Sequence, residues 1–285
     1  MRAGSIMRKR LLLVLCLWLA LTMLGCAAFR PTDVNGPRAE GPVYPIGLSD
    51  PGLRLEEASL SWYQLSQRYG LPGKTEANLH PYTATLASLP ANLPAPIYLP
   101  KVGSETDPTE EDMRESLRRF IVEWQNLIGA DPKDLSLVQW IDEPSGVTFA
   151  RYEQHPFRYP LRGEFGTLVI QFRSDRRLVG FSSNCIPHAE RLQAAIASLT
   201  PKVTAEQAVD HIKTKPITDA SGSQQPLTLP ATAAVNAKEL VVYVRSSKDP
   251  PSGLEIRLAW EIEVTNGPLK KIYLDAISDE IIATS

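Results

Sequence analysis

Cysteine is scarce in this chain, and so is every residue pattern that usually announces catalysis. Three cysteines occur in 285 residues, at positions 16, 26 and 185, too few to staple a folded body with a disulfide framework. The four histidines, His80, His155, His188 and His211, are scattered, and no two share a helical turn, which excludes the H-E-x-x-H zinc arrangement. No P-loop, G-x-G-x-x-G or G-x-S-x-G is present. Net charge is also small: −2 for the whole chain, or −6 without residues 1–25, which hold four cations and no acid. A mildly acidic chain is a poor ligand for nucleic acid or anionic lipid. These gaps predict a non-enzyme without cofactor or metal.

What is present starts at the N-terminus. Arg2, Arg8, Lys9 and Arg10 precede an apolar run over residues 11–21, the charged-then-apolar layout of a secretory signal. The run is short for a bilayer span, which needs about 20 apolar residues. It ends in Met23-Leu24-Gly25-Cys26, which resembles the lipobox of bacterial lipoproteins. That resemblance implies removal of residues 1–25, a diacylglyceryl group on Cys26, and an extracytoplasmic position on a membrane of the bacterial cell envelope.

Residues 26–50 are rich in Pro and Gly without hydrophobic period and read as a flexible tether. Residues 51–106 follow as a helix and a strap. Leu55, Ala58, Trp62, Leu65 and Tyr69 recur at helical spacing and stop at Gly70 and Pro72. Pro90, Pro94, Pro96 and Pro100 then force extended backbone, either a ligand for a partner's groove or a strap that buries Leu93, Ile97 and Leu99.

A first module is expected over 107–188. Asp107 serves as N-cap, Pro108 fits the first helical position and Gly129 the left-handed stop. Met113, Leu117, Phe120, Ile121, Trp124, Leu127 and Ile128 form one apolar stripe. Alternating segments at 135–141, 147–154, 166–172 and 176–182 read as strands, the last two joined through Ser174-Asp175. A second module is expected over 189–285: a helix at 189–199, a helix capped by Thr204 and Gln207, a long loop at 214–238, and strands at 239–244, 254–264 and 270–276. In the middle strand Ile256, Leu258, Trp260, Ile262 and Val264 share one face and Glu255, Arg257, Ala259, Glu261 and Glu263 the other. The fold class is therefore α+β, two successive helix-plus-antiparallel-sheet modules.

Few candidate sites emerge. Cys185 stands three residues before His188, but no third group orients them, and a buried small apolar residue explains Cys185. Glu206 and Asp210 lie four apart on a helix, which a solvated acidic edge explains as well as an acid/base pair. Lys270 and Lys271 fall opposite Glu261 and Glu263 as ordinary cross-strand charges. The loop around His155 gathers Tyr152, Phe157, Arg158, Tyr159 and Arg162, rings and cations of the kind that line protein interfaces, and an irregular connection packed against the sheet explains them equally well. Tyr152, Phe157, Arg158, Glu261 and Glu263 are thus the candidate partner-binding residues, the last two on an exposed strand face.

The order of parts also carries a resemblance. Residues 116–139 and 147–184, with Gly129, Gln154, Pro160, Leu161 and Gly163 at matching places, resemble the FTP module that opens the propeptides of thermolysin-like and fungalysin metallopeptidases. "TAEQAVDHI", Leu258-Ala259-Trp260 and Asp275-Ala276 are similar to the PepSY module that follows it. Arg158 stands where that family has a loop glycine, and the glycine after Asp-Ala is replaced near Ser278-Asp279. Since only nine residues follow Ala276, the resemblance implies a propeptide-like chain without an attached protease. It implies a binding protein whose partner is a secreted thermolysin-like metallopeptidase, inhibited or assisted in folding; the alternative is an envelope scaffold or ligand-binding module with no protease partner.

Overall fold

The first helix of the predicted module starts two residues later than its sequence cap. In the computed structural model, which describes residues 44–48, 51–73, 75–103, 108–217, 227–247 and 253–285, Thr109 is the N-cap of α2 (Glu110–Glu123; α1 is Pro51–Arg68). Its hydroxyl accepts from the Asp112 N–H at 3.2 Å, and the Asp112 carboxylate accepts from the Thr109 N–H at 3.0 Å. This reciprocal box satisfies two orphan donors; Pro108 precedes the cap and Asp107 lies outside the described residues. The stripe is interrupted at Trp124, after which α3 (Gln125–Ile128) ends on left-handed Gly129. A Cβ on Gly129 would stand 2.4 Å from Thr85 Cγ2, so close packing as well as φ requires glycine there.

Helices α1 to α3 lie against the first sheet, whose order is β4-β5-β7-β8 with β4 at Leu135–Asp142, β5 at Val147–Gln154, β7 at Thr167–Arg173 and β8 at Leu178–Ser183. Leu117, Phe120, Ile121, Leu127 and Ile128 meet Ala150, Leu168, Ile170 and Phe172 in one buried cluster. Each such side chain contributes about 1.5–3 kcal/mol on burial. The Pro-rich stretch is a strap: Leu178 N–H donates to Ile97 O at 2.8 Å and Leu99 N–H to Arg176 O at 2.9 Å, which covers the β8 edge. A small ribbon, β2 (Asn78–Leu79) with β3 (Leu86–Ser88), sits beside it.

The second sheet departs from a self-contained module. Its order is β12-β11-β10-β9-β6, with β1 also paired to β10. Strands β9 (Ala234–Ser246), β10 (Leu254–Thr265), β11 (Lys271–Asp275) and β12 (Ile281–Thr284) are antiparallel neighbours. Strand β6 (Leu161–Gly163) comes from the stretch assigned to the first module and runs parallel to β9, so the sheet is mixed. Strand β1 (Ile46–Leu48) comes from the expected tether and pairs Ile46 with Ile256. A boundary at 188 and a tether reaching residue 50 are therefore corrected: the chain passes between the two sheets four times, and residues Tyr44–Ser285 form one compact unit. The expected loop also shortens, because β9 begins at Ala234 and Ile217 bridges Leu227.

Two helices cover one side of this sheet. Leu192 and Ile196 of α4 (Ala189–Ala197) pack on Val244 and Ile256; Ala208 and Ile212 of α5 (Ala205–Thr214), capped by the Thr204–Gln207 box, pack on Ile262 and Ile272. No described helix is long and apolar enough to cross a membrane.

Candidate functional site

The other side of the second sheet bears no helical residue in its apolar cluster. There Val241, Ala259 and Ile282 are buried beneath Tyr243 and Tyr273, whose ring centroids are 4.7 Å apart at 43°. Strand alternation puts all five on one face, and the β9–β10–β11 register brings them together: Val241 opposite Ala259, Ala259 opposite Asp275, Tyr273 opposite Glu261.

Ion pairs frame this small patch on both sides. On one side Glu261 receives Arg162 Nε at 2.5 Å and Lys271 Nζ at 3.0 Å, while Arg162 also meets Glu239 at 3.2 Å and Lys238 meets Glu263 at 3.0 Å. On the other, Arg257 donates to Asp275 at 2.8 Å, to Glu280 at 3.0 Å and to Glu255, which also receives Arg245 at 3.1 Å. The Tyr44 hydroxyl donates to Asp275 Oδ2 at 2.8 Å. Burial alone would raise the Glu261 and Glu255 carboxyls, but their guanidinium and ammonium partners outweigh it and hold both below the usual carboxylate range. Burial raises the Tyr243 and Tyr273 hydroxyls. Six acids meet five bases on this face, so its charges nearly cancel.

The chain matches no protein-family model and no curated protein.

Three sequence expectations are corrected by the geometry. Glu261 is not on an exposed surface; its side chain has no solvent exposure, because Arg162 and Lys271 close over it. Tyr152 is not an exposed ring either: it is 8% exposed, within the first core, and burial pushes its hydroxyl up to about 12. Phe157 is half-buried against the cluster of Val244 and Ile256. Arg158 is exposed, its guanidinium 5.7 Å from the Tyr159 ring, and Glu263 stays accessible beside Lys238. The aromatic-basic stretch thus feeds side chains into two cores, sends Arg162 to Glu261 and leaves His155 and Arg158 exposed. Period-two reading of the strands at 239–244 and 270–276 contained the signal for Tyr243 and Tyr273; what it lacked was register.

The remaining candidates stay apart. Cys185 is wholly buried and its thiol is pushed up to about 12 by burial, so it is no nucleophile. His188 turns to Glu57 at 3.0 Å, at the rim of a cleft of about 200 Å³ lined with Arg54, Asp134, Gln154 and Glu190. Both ends of the Gln154 amide are taken by the Ile186 backbone. Glu206 and Asp210 are exposed along α5, and Lys271, not Lys270, supplies the cross-strand charge. His211 pairs with Asp279 at 2.8 Å. Among the described residues no three His, Cys, Asp or Glu side chains are grouped to hold a metal. Cys26 lies outside the described residues.

Proposed function

We propose that this protein is a non-catalytic, lipid-anchored component of a bacterial cell envelope that binds another protein through the outer face of the second sheet. Its partner in this reading is an exported thermolysin-like metallopeptidase, which it inhibits or assists in folding. The resemblance of residues 107–188 to FTP and 189–285 to PepSY modules supplies the partner class; fold-level analogy alone supplies no site. The observation that carries the reading is the face on which Tyr243 and Tyr273 meet in a tilted pair above Val241, Ala259 and Ile282, with no described helical residue in that cluster. Tyrosine and arginine are among the residue types that dominate binding energy at protein interfaces. The cleft beside His188, about 200 Å³, falls below the roughly 300 Å³ at which small-molecule pockets begin, whereas a shallower groove beside His211 and Asp279 reaches about 390 Å³, so a ligand-binding role stays the second reading.

The test is a titration of the soluble chain from residue 30 onward against a secreted thermolysin-like metallopeptidase, with the double variant Tyr243→Ala, Tyr273→Ala and the single variant Glu263→Lys alongside. At least tenfold weaker binding by the double variant, with its melting transition retained, supports the face. Equal binding by all three proteins removes the face as the site. No binding by the wild type favours a scaffold without a protease partner.

A further inference from the structure

We propose that the free edge of β4 is a separate docking strand, which takes an extended protein segment with an apolar, β-forming centre and a basic residue at each end. This is independent of the tyrosine face. Strand β4 pairs with β5 alone, and its other edge makes no backbone hydrogen bond to any described residue. The remaining edges are short, covered or blunted: β6 has three residues, β12 has four, the strap shields β8, and the stretch of β9 before Val242 that β6 leaves unpaired carries Lys238. Strand β4 has eight residues, "LSLVQWID", with neither proline nor lysine to blunt it, and long unprotected edges are templates for strand addition. Val138, at the bulge in its pairing, and Ile141 are 47% and 42% exposed.

Charge decides the occupant. Over residues 131–143 there are four acids, Asp131, Asp134, Asp142 and Glu143, and one cation, Lys133, which is engaged by Asp131 at 3.2 Å. The acids stand at the two ends of the strand, Asp134 and Asp142 being about 26 Å apart at strand rise. On neighbouring β5, Arg151 and Glu153 neutralise one another at 3.5 Å, and Arg114 is held over the Trp140 ring at 5.1 Å. A second copy paired about a two-fold axis would set Asp142 of one chain beside Asp134 of the other, and facing like charges are destabilising. A segment with Lys or Arg about eight residues apart meets an acid at each end instead.

The probe is the peptide Lys-Thr-Val-Thr-Val-Thr-Val-Thr-Lys, with an Asp-flanked version of the same core as control, added to the full chain under hydrogen–deuterium exchange. Expected is slower exchange at the β4 amides that do not pair with β5, no change at β12, no effect of the acidic peptide, and at least tenfold weaker binding to Asp142→Lys, Glu143→Lys. Equal binding of both peptides, or protection at β12 in place of β4, overturns the charge argument or the location. Absence of binding overturns the proposal. Protection of those amides without peptide assigns the edge to a segment of this chain, or to a second copy if it grows with protein concentration, and overturns it equally.

Discussion

Arg162 leaves β6, passes over the intervening β9 and places Nε 2.5 Å from Glu261 on β10, whose carboxylate has no exposure to solvent. A residue from the middle of the chain thereby neutralises a charge near its end. Removing it leaves Glu261 with Lys271 and, at 3.8 Å, Lys238. Arg162→Ala is expected to lower unfolding free energy by about 2 kcal/mol, the scale of one lost charged hydrogen bond at a desolvated acceptor. Urea denaturation at neutral pH measures it, and an unchanged midpoint contradicts the buried pairing.

The same carboxylates set an acid limit. Glu261 and Glu255 have folded-state values below their unfolded ones, so their contribution is complete above the unfolded value of about 4.3 and is lost as pH falls through the lower folded values. Glu261→Gln should melt lower than the wild type at pH 7 yet lose less on going from pH 5 to pH 3. Parallel melting curves against pH for the two proteins would remove Glu261 from that account.

Gly163 tests the crossing strand directly. Its φ is +105° and a Cβ would stand 2.1 Å from Val244 O, so Gly163→Ala cannot keep β6 on β9 without moving the backbone. A loss of about 1–3 kcal/mol is expected, with faster amide exchange at 161–163 and at Val242, which donates to Pro160 O at 2.9 Å. Unaltered exchange there would show that the contact is not required.

Cys185 should resist chemistry while the chain is folded. Full burial and a thiol pushed up to about 12 predict no alkylation by iodoacetamide at pH 8, with complete labelling in denaturant, read by mass spectrometry. Rapid labelling of the native protein would contradict its place in the core.

For the N-terminus, Cys26→Ser should abolish lipid attachment and either release the protein or leave it unprocessed. Membrane fractionation and the size of the mature chain check this; a variant of wild-type size still in the membrane fraction refutes lipidation at Cys26.

Local rules exposed most elements in the sequence and failed where two distant segments meet. Thr204 with Gln207 is a capping box in the chain and in the fold because its chemistry lies within four residues. The strand 147–154 was legible from alternation alone, as was the inward face of β10 from Ile256 to Val264. Strands β1 and β6 were not, since three residues each carry no period and their stability comes from β10 and β9. The Asp107 cap lost to Thr109 because Asp112 sits three residues after Thr109 and closes the box. Glu261 looked solvent-facing on alternation, and only the return of Arg162 and Lys271 shows why a carboxylate can stand there dry.

The pairing of Ile46 with Ile256 joins positions 210 residues apart. During synthesis β1 therefore waits, unpaired, until nearly all of the chain exists. Closing so long a loop adds little equilibrium cost, since entropy grows only logarithmically with length, but it makes assembly late and slow. A chain built this way keeps its second sheet unfinished until both distant segments have been made, so the molecule cannot be completed piecewise from its N-terminus.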